Sequence, residues 1–82
     1  MQASPEVVAS LAIFRPDDGP LEIVSVSGDD SASRRLCELG ICAGKTVSMV
    51  KCGDPAIVSA GGSRFALAGA LQDRIFARQK RS

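Results

Sequence analysis

The chain has 82 residues, of which 45% are hydrophobic and 23% charged, and a formal net charge of +1. That length holds a single domain (residues 1–82) with one modest core, burying roughly 60–65% of the surface its unfolded form exposes. The balance excludes wholesale disorder and any general electrostatic pull toward nucleic acid or acidic membranes.

In chain order, residues 1–10 are weakly specified: a frayed end, or a short helix started by Pro5 with Val7, Val8 and Leu11 as its apolar side. The longest early apolar run, Val7 to Phe14, is interrupted by Ser10 and is far short of the roughly 20 residues of a membrane-spanning helix. The first positive charge is Arg15, so no basic region precedes that run as in a targeting segment. The expected setting is soluble and cytosolic. Arg15-Pro16-Asp17-Asp18-Gly19-Pro20 is dense in turn formers and reads as a loop. Leu21 to Ser27 is a strand, closed by Gly28-Asp29-Asp30.

A helix follows over about 31–39. Asp30 or Ser31 supplies the N-cap oxygen. Ala32, Leu36 and Leu39 form one apolar face. Arg34 and Glu38 are spaced to pair in water on the opposite side, a contact worth only about 0.2–0.5 kcal/mol. Gly40 sits where a helix end takes a left-handed residue, with Ile41 as the apolar partner of that cap. Ala43-Gly44 is a turn. Residues 40–46, G-I-C-A-G-K-T, mimic a phosphate-binding loop. Yet only three residues separate the glycines, and a helix leads into a strand rather than the reverse, so nucleotide binding is not expected.

Val47 and Met49 alternate with Thr46, Ser48 and Val50 in a strand ending at Lys51. Cys52-Gly53-Asp54-Pro55 is a turn, Ala56 to Ala60 a strand, and Gly61-Gly62-Ser63 a hairpin connection. Arg64 to Ala68 returns, with Phe65 and Leu67 on one face. Gly69 to Asp73 is a helical turn at best. Arg74 to Arg78 is the last strand, with Ile75 and Ala77 facing in, and residues 79–82 are a basic tail. About five short strands and one helix make a mainly β chain, best accommodated as a small, partly open barrel with the helix across one end.

Enzyme chemistry is poorly supported. There is no histidine, the usual neutral-pH acid–base group, and the acids are scattered through turns and caps. The thiols Cys37, Cys42 and Cys52 are the only candidates for a metal site. Their C-x4-C-x9-C spacing is not that of a zinc finger, and they read first as structural or incidental thiols. An odd cysteine count also makes a poor disulfide framework. Nucleic-acid binding would rest on Arg34, Arg35, Arg74, Arg78, Lys80 and Arg81, but three phenylalanines and no Trp or Tyr leave few bases stackable. Charge on the rigidly held helix and turn makes Arg34, Arg35, Glu38 and Lys45 the candidate partner-binding residues.

From Leu21 onward the chain resembles the ferrous iron transport protein A (FeoA) family. The resemblance lies in Ile23 to Gly28, in Arg35-Leu36, Leu39-Gly40-Ile41, Gly44, Val47 and Val50, and in Pro55, Gly62, Ala66-Leu67 and Ile75. It implies an SH3-like β-barrel with one inserted helix. It also implies a non-enzymatic cytosolic accessory protein that acts with FeoB, the ferrous iron permease with a GTPase domain. No cofactor, nucleic acid or membrane insertion is implied; any place at the inner face of the membrane would come through the partner. Three residues depart from the family pattern: Ala43 where Pro is usual, Ala68 where Arg is usual, and Gln72 where a small apolar residue is usual. The cysteines lie outside that pattern. The alternative expectation is a metal-responsive or metal-bridged self-associating module using Cys37, Cys42 and Cys52, with a small nucleic-acid-binding barrel behind it. An open barrel leaves a strand edge free, and nothing in the sequence specifies an oligomeric state.

Overall fold

A computed structural model describes residues 7–28 and 30–80. Its strands are β1 (Ala9–Ser10), β2 (Pro20–Val26), β3 (Thr46–Lys51), β4 (Ala56–Ala60), β5 (Ser63–Leu67) and β6 (Ile75–Gln79), with helices α1 (Ser31–Glu38) and α2 (Gly69–Gln72). They form one antiparallel sheet in the order β1-β6-β2-β3-β4-β5. The sheet stays open, because β1 and β5 end the order without pairing to each other. This is the expected SH3-like, mainly β architecture, with six strands rather than five.

Alternation decides which side chains go in. Leu21 and Ile23 of β2, Val47 and Met49 of β3, Ala56, Val58 and Ala60 of β4, and Ile75 and Ala77 of β6 all enter one core. Irregularities in register between Ile23 and Ser25, and between Met49 and Lys51, bend the sheet around that core. The first also turns Val24 out to solvent. Gly61 and Gly62 both take positive φ (+58° and +83°), the two-residue hairpin anticipated for tandem glycines.

The extra strand lies in the stretch read as a frayed end or a short helix. Residues 1–6 fall outside the described part. Val7 and Val8 are exposed and non-helical, and Ala9–Ser10 pairs with Ala77 and Phe76 of β6. The stretch is too short to nucleate a helix alone. Ser10 instead ends the strand, its Oγ accepting from the Ala12 amide at 3.2 Å to start a 3-10 turn over Leu11–Ile13. Leu11 is thereby fully buried.

The C-terminal end also differs from expectation. β6 starts at Ile75, one residue late, and runs through Gln79. The Lys80 amide still donates to Pro20 O at 2.9 Å, and its Nζ reaches Thr46 Oγ1 at 3.0 Å. Residues 79 and 80 are therefore tied into the sheet; 81 and 82 lie outside the described residues.

Candidate functional site

Helix α1 is held at both ends. At its start the Asp30 carboxylate accepts from the Ser33 amide at 3.3 Å, an N-cap of the kind short acids provide. The same Oδ1 accepts from Arg74 Nη2 at 2.7 Å. At its end, Gly40 takes φ +91°. The Gly40 amide donates to Cys37 O at 3.0 Å and the Ile41 amide to Leu36 O at 2.8 Å. Those two bonds make a Schellman cap, whose apolar partners Leu36 and Ile41 are both buried in the core.

That cap corrects one expectation. Leu39 does not complete the buried face of the helix; it is 38% exposed. The helix stops at Glu38, and Ile41 takes the core position that a further turn of helix would have given to Leu39.

The outer face of α1 carries Arg34, Arg35 and Glu38, all exposed, which line one shallow groove with Ser31 and Ala32. The spaced pair Arg34 and Glu38 makes no ion pair. Among the described residues the ion pairs are Arg74–Asp30 and Arg78–Glu22. Arg35 also borders a second, mainly apolar groove between α1 and β5, lined by Leu36, Leu39, Phe65, Leu67 and Leu71. Arg34 borders a third with Val26, Gly28, Ser33, Cys37, Cys42 and Ala43. Lys45 is exposed at the end of the Cys42–Lys45 turn and lines none of these three. The structure thus gathers three of the four charged candidates.

The cysteines divide in the same way. Cys37 and Cys42 line one groove. The neighbouring Cys37 thiol, and then burial, pushes the Cys42 thiol above its ordinary pKa, with Lys45 opposing. Cys52 is elsewhere, its Sγ donating to Phe14 O at 3.5 Å. Among the described residues, no three Cys, Asp or Glu side chains come together as a metal site would need.

Arg74, just before the last strand, and Arg78 within it are not a free patch. Arg78 donates Nε and Nη2 to Glu22 Oε1 at 3.3 and 3.2 Å, directly across the β2–β6 pair. Arg74 clamps Ser27 O as well as Asp30. Gly28, with φ +87°, lies against that guanidinium, so any Cβ there would collide with it.

Two structural residues escaped sequence reasoning. Gln72 is buried, and its Nε2 donates to Gly53 O at 2.9 Å and to Leu67 O at 3.0 Å. Its occurrence at a position where the family is apolar was the only signal. Asp54 accepts from the Gly69 amide at 2.8 Å, capping α2 from a distant turn where Ala68 offers no side-chain oxygen. Gly69 has room for that carboxylate only because it lacks a Cβ.

A model of the FeoA domain matches residues 15–79. Among solved structures, an iron uptake regulatory protein (FeoA) superposes with a TM-score of 0.78 at 29% identity, covering 88% of this chain and 97% of that one. The FeoA of Stenotrophomonas maltophilia, crystallised with zinc and described as a prokaryotic SH3 domain protein, superposes with a TM-score of 0.61 at 32% identity, covering 74% and 87%. No curated protein matches the chain significantly. No described helix is long and apolar enough to cross a membrane. The matched residues run from the first loop to the end of β6 and take in α1 with both of its caps, so the chain belongs to the FeoA family of small ferrous iron transport proteins.

Proposed function

We propose that this chain is a non-enzymatic cytosolic accessory protein of ferrous iron uptake, which binds a FeoB-type permease and modulates its GTPase or transport cycle. The docking surface is the outer face of α1. One observation carries this choice: Arg34, Arg35 and Glu38 are exposed together, without ion-pair partners among the described residues, beside the apolar groove of Leu39, Phe65 and Leu71. Charge at the rim of an apolar patch is the composition of a protein-binding surface. Lys45 belongs to a secondary edge of that surface, reached across the turn.

The nucleic-acid reading loses support from the ion pairs that occupy Arg74 and Arg78. The metal-bridged reading loses its three-thiol form, since Cys52 stands apart from the other two cysteines.

The test is retention of this chain on tagged full-length permease, with and without guanine nucleotide and ferrous iron. The double variant Arg34→Glu/Arg35→Glu should lose retention, while Lys51→Glu, a charge change at an exposed residue that lines none of the three grooves, should keep it. Retention by the double variant would reject this face. Failure of the wild-type chain to bind in any state would reject the partner.

A further inference from the structure

The Schellman cap folds the chain back on itself directly after α1, and this carries Cys42 to the groove that Cys37 already lines. Cys37 is exposed and Cys42 half-buried, so solvent reaches both. Gly40 makes the reversal without strain, and the Cys42–Lys45 turn, closed by a 3.0 Å bond from the Lys45 amide to Cys42 O, fixes where residue 42 sits. With no third ligand gathered among the described residues, the pair lacks the coordination of a structural zinc site. Two adjacent, accessible thiols have another chemistry open to them.

We propose that Cys37 and Cys42 are a redox-active dithiol, which hydrogen peroxide or a similar hydroperoxide converts to an intramolecular disulfide across the C-terminal cap of α1. The more exposed Cys37 thiolate attacks a peroxide oxygen. A sulfur–oxygen bond forms, the oxygen–oxygen bond breaks, and the hydroxide released takes up a proton as water. Cys42 is the resolving thiol: its sulfur attacks the Cys37 sulfenic acid, the sulfur–sulfur bond forms and the sulfur–oxygen bond breaks. The departing hydroxide leaves as a second water with the Cys42 proton. Two thiols lose two protons and two electrons, and one peroxide becomes two waters. The raised pKa of Cys42 fits this division of roles, because it disfavours Cys42 as the first attacking thiolate. Cys52, apart from the pair, has no partner thiol in this groove. The inference does not depend on the permease reading.

The sequence makes the test simple. Trypsin cutting after Arg35 and Lys45 leaves both cysteines on peptide 36–45, while Cys52 falls on peptide 52–64. Reduced full-length protein is treated with stoichiometric hydrogen peroxide, alkylated, digested and weighed. Peptide 36–45 should lose two hydrogens and resist alkylation until dithiothreitol is added. Titratable thiols should fall from three to one, the remaining one on Cys52. Cys52→Ser should form the same bridged peptide, and Cys37→Ser should not. A phenylarsenical that spans two thiols should bind wild type and fail on Cys42→Ser, which checks proximity without oxidation. Oxygen added to peptide 36–45 in place of hydrogen loss, or crosslinking between chains instead of within one, would overturn the proposal.

Discussion

Arg74 and Asp30 join the start of the last strand to the start of helix α1, through a 2.7 Å bond from Nη2 to Oδ1. Residue 74 precedes β6 and residue 30 precedes α1, so this exposed ion pair ties the entry of the helix to the entry of the strand. The Arg74 guanidinium and then the Ser33 amide hold the Asp30 carboxyl below its ordinary value of 3.8. The pairing raises Arg74 in turn.

A pH dependence follows from the sign of that shift. A carboxyl whose folded pKa lies below its unfolded one contributes stability that is fully present above the unfolded value. The contribution is lost as pH falls through the folded value. Asp30→Asn retains a good cap but cannot ionise. Thermal melts of wild type and variant should therefore differ at neutral pH, and the gap should close as pH falls from 3.8 through the lower folded value. The gap should also shrink in high salt, because the pair is exposed to solvent. A gap independent of pH would show that the charge contributes nothing.

Gln72 supports a prediction about the core. Its side chain satisfies Leu67 O at the end of β5 and Gly53 O in the turn before β4. Gln72→Leu keeps the bulk and removes both donors. The Leu67 carbonyl then lacks a partner beside a buried side chain, and the cost should be about 1–3 kcal/mol. Urea denaturation would read this as a lower midpoint with unchanged slope. An unchanged midpoint would mean that water replaces the amide.

The contrast between Gln72 and Gly40 shows how much of this molecule is legible in its sequence. The helix, its Asp30 cap, its Gly40-Ile41 ending, the Gly61-Gly62 hairpin and five of the six strands each rest on local chemistry, which a short window of sequence contains. β1 does not: two residues without alternation become a strand only because β6 offers an open edge. Gln72, Asp54 and the Arg74–Asp30 pair act across gaps of 15 to 44 residues in their key contacts, except for the short Gln72–Leu67 bond. Leu39 misleads because helical periodicity runs on past the residue where the cap ends the helix. At the site, residue spacing placed Arg34, Arg35 and Glu38 on one face. Only the folded turn separates Cys52 from the other two thiols.

Gly40 should tolerate few replacements. Its φ of +91° is the left-handed region, and nothing lies within 4 Å of the Cβ that alanine would add. The penalty for Gly40→Ala is therefore conformational alone, about 1–2 kcal/mol. Gly40→Asn should cost less, because asparagine enters that region more readily. Equal losses from both variants in chemical denaturation would point instead to a packing defect.

Ala43 offers a gain. The Lys45 amide donates to Cys42 O at 3.0 Å, so Ala43 and Gly44 are the central residues of a four-residue turn. Gly44 has φ +88°, and no described residue other than glycine has positive φ, which makes the turn type II. The first central position of that turn favours proline, and the FeoA pattern has proline there. The Ala43 amide donates to no backbone carbonyl among the described turn and loop bonds, so a proline ring removes none of them. Ala43→Pro should restrict the unfolded chain and raise stability by about 0.4–1 kcal/mol. It should also leave the permease-binding face in place, since it only stiffens a turn already formed. A higher melting temperature with unchanged retention on the permease is the expected result. A lower one would mean that the backbone at Cys42 sits in the helical region, which a following proline disfavours.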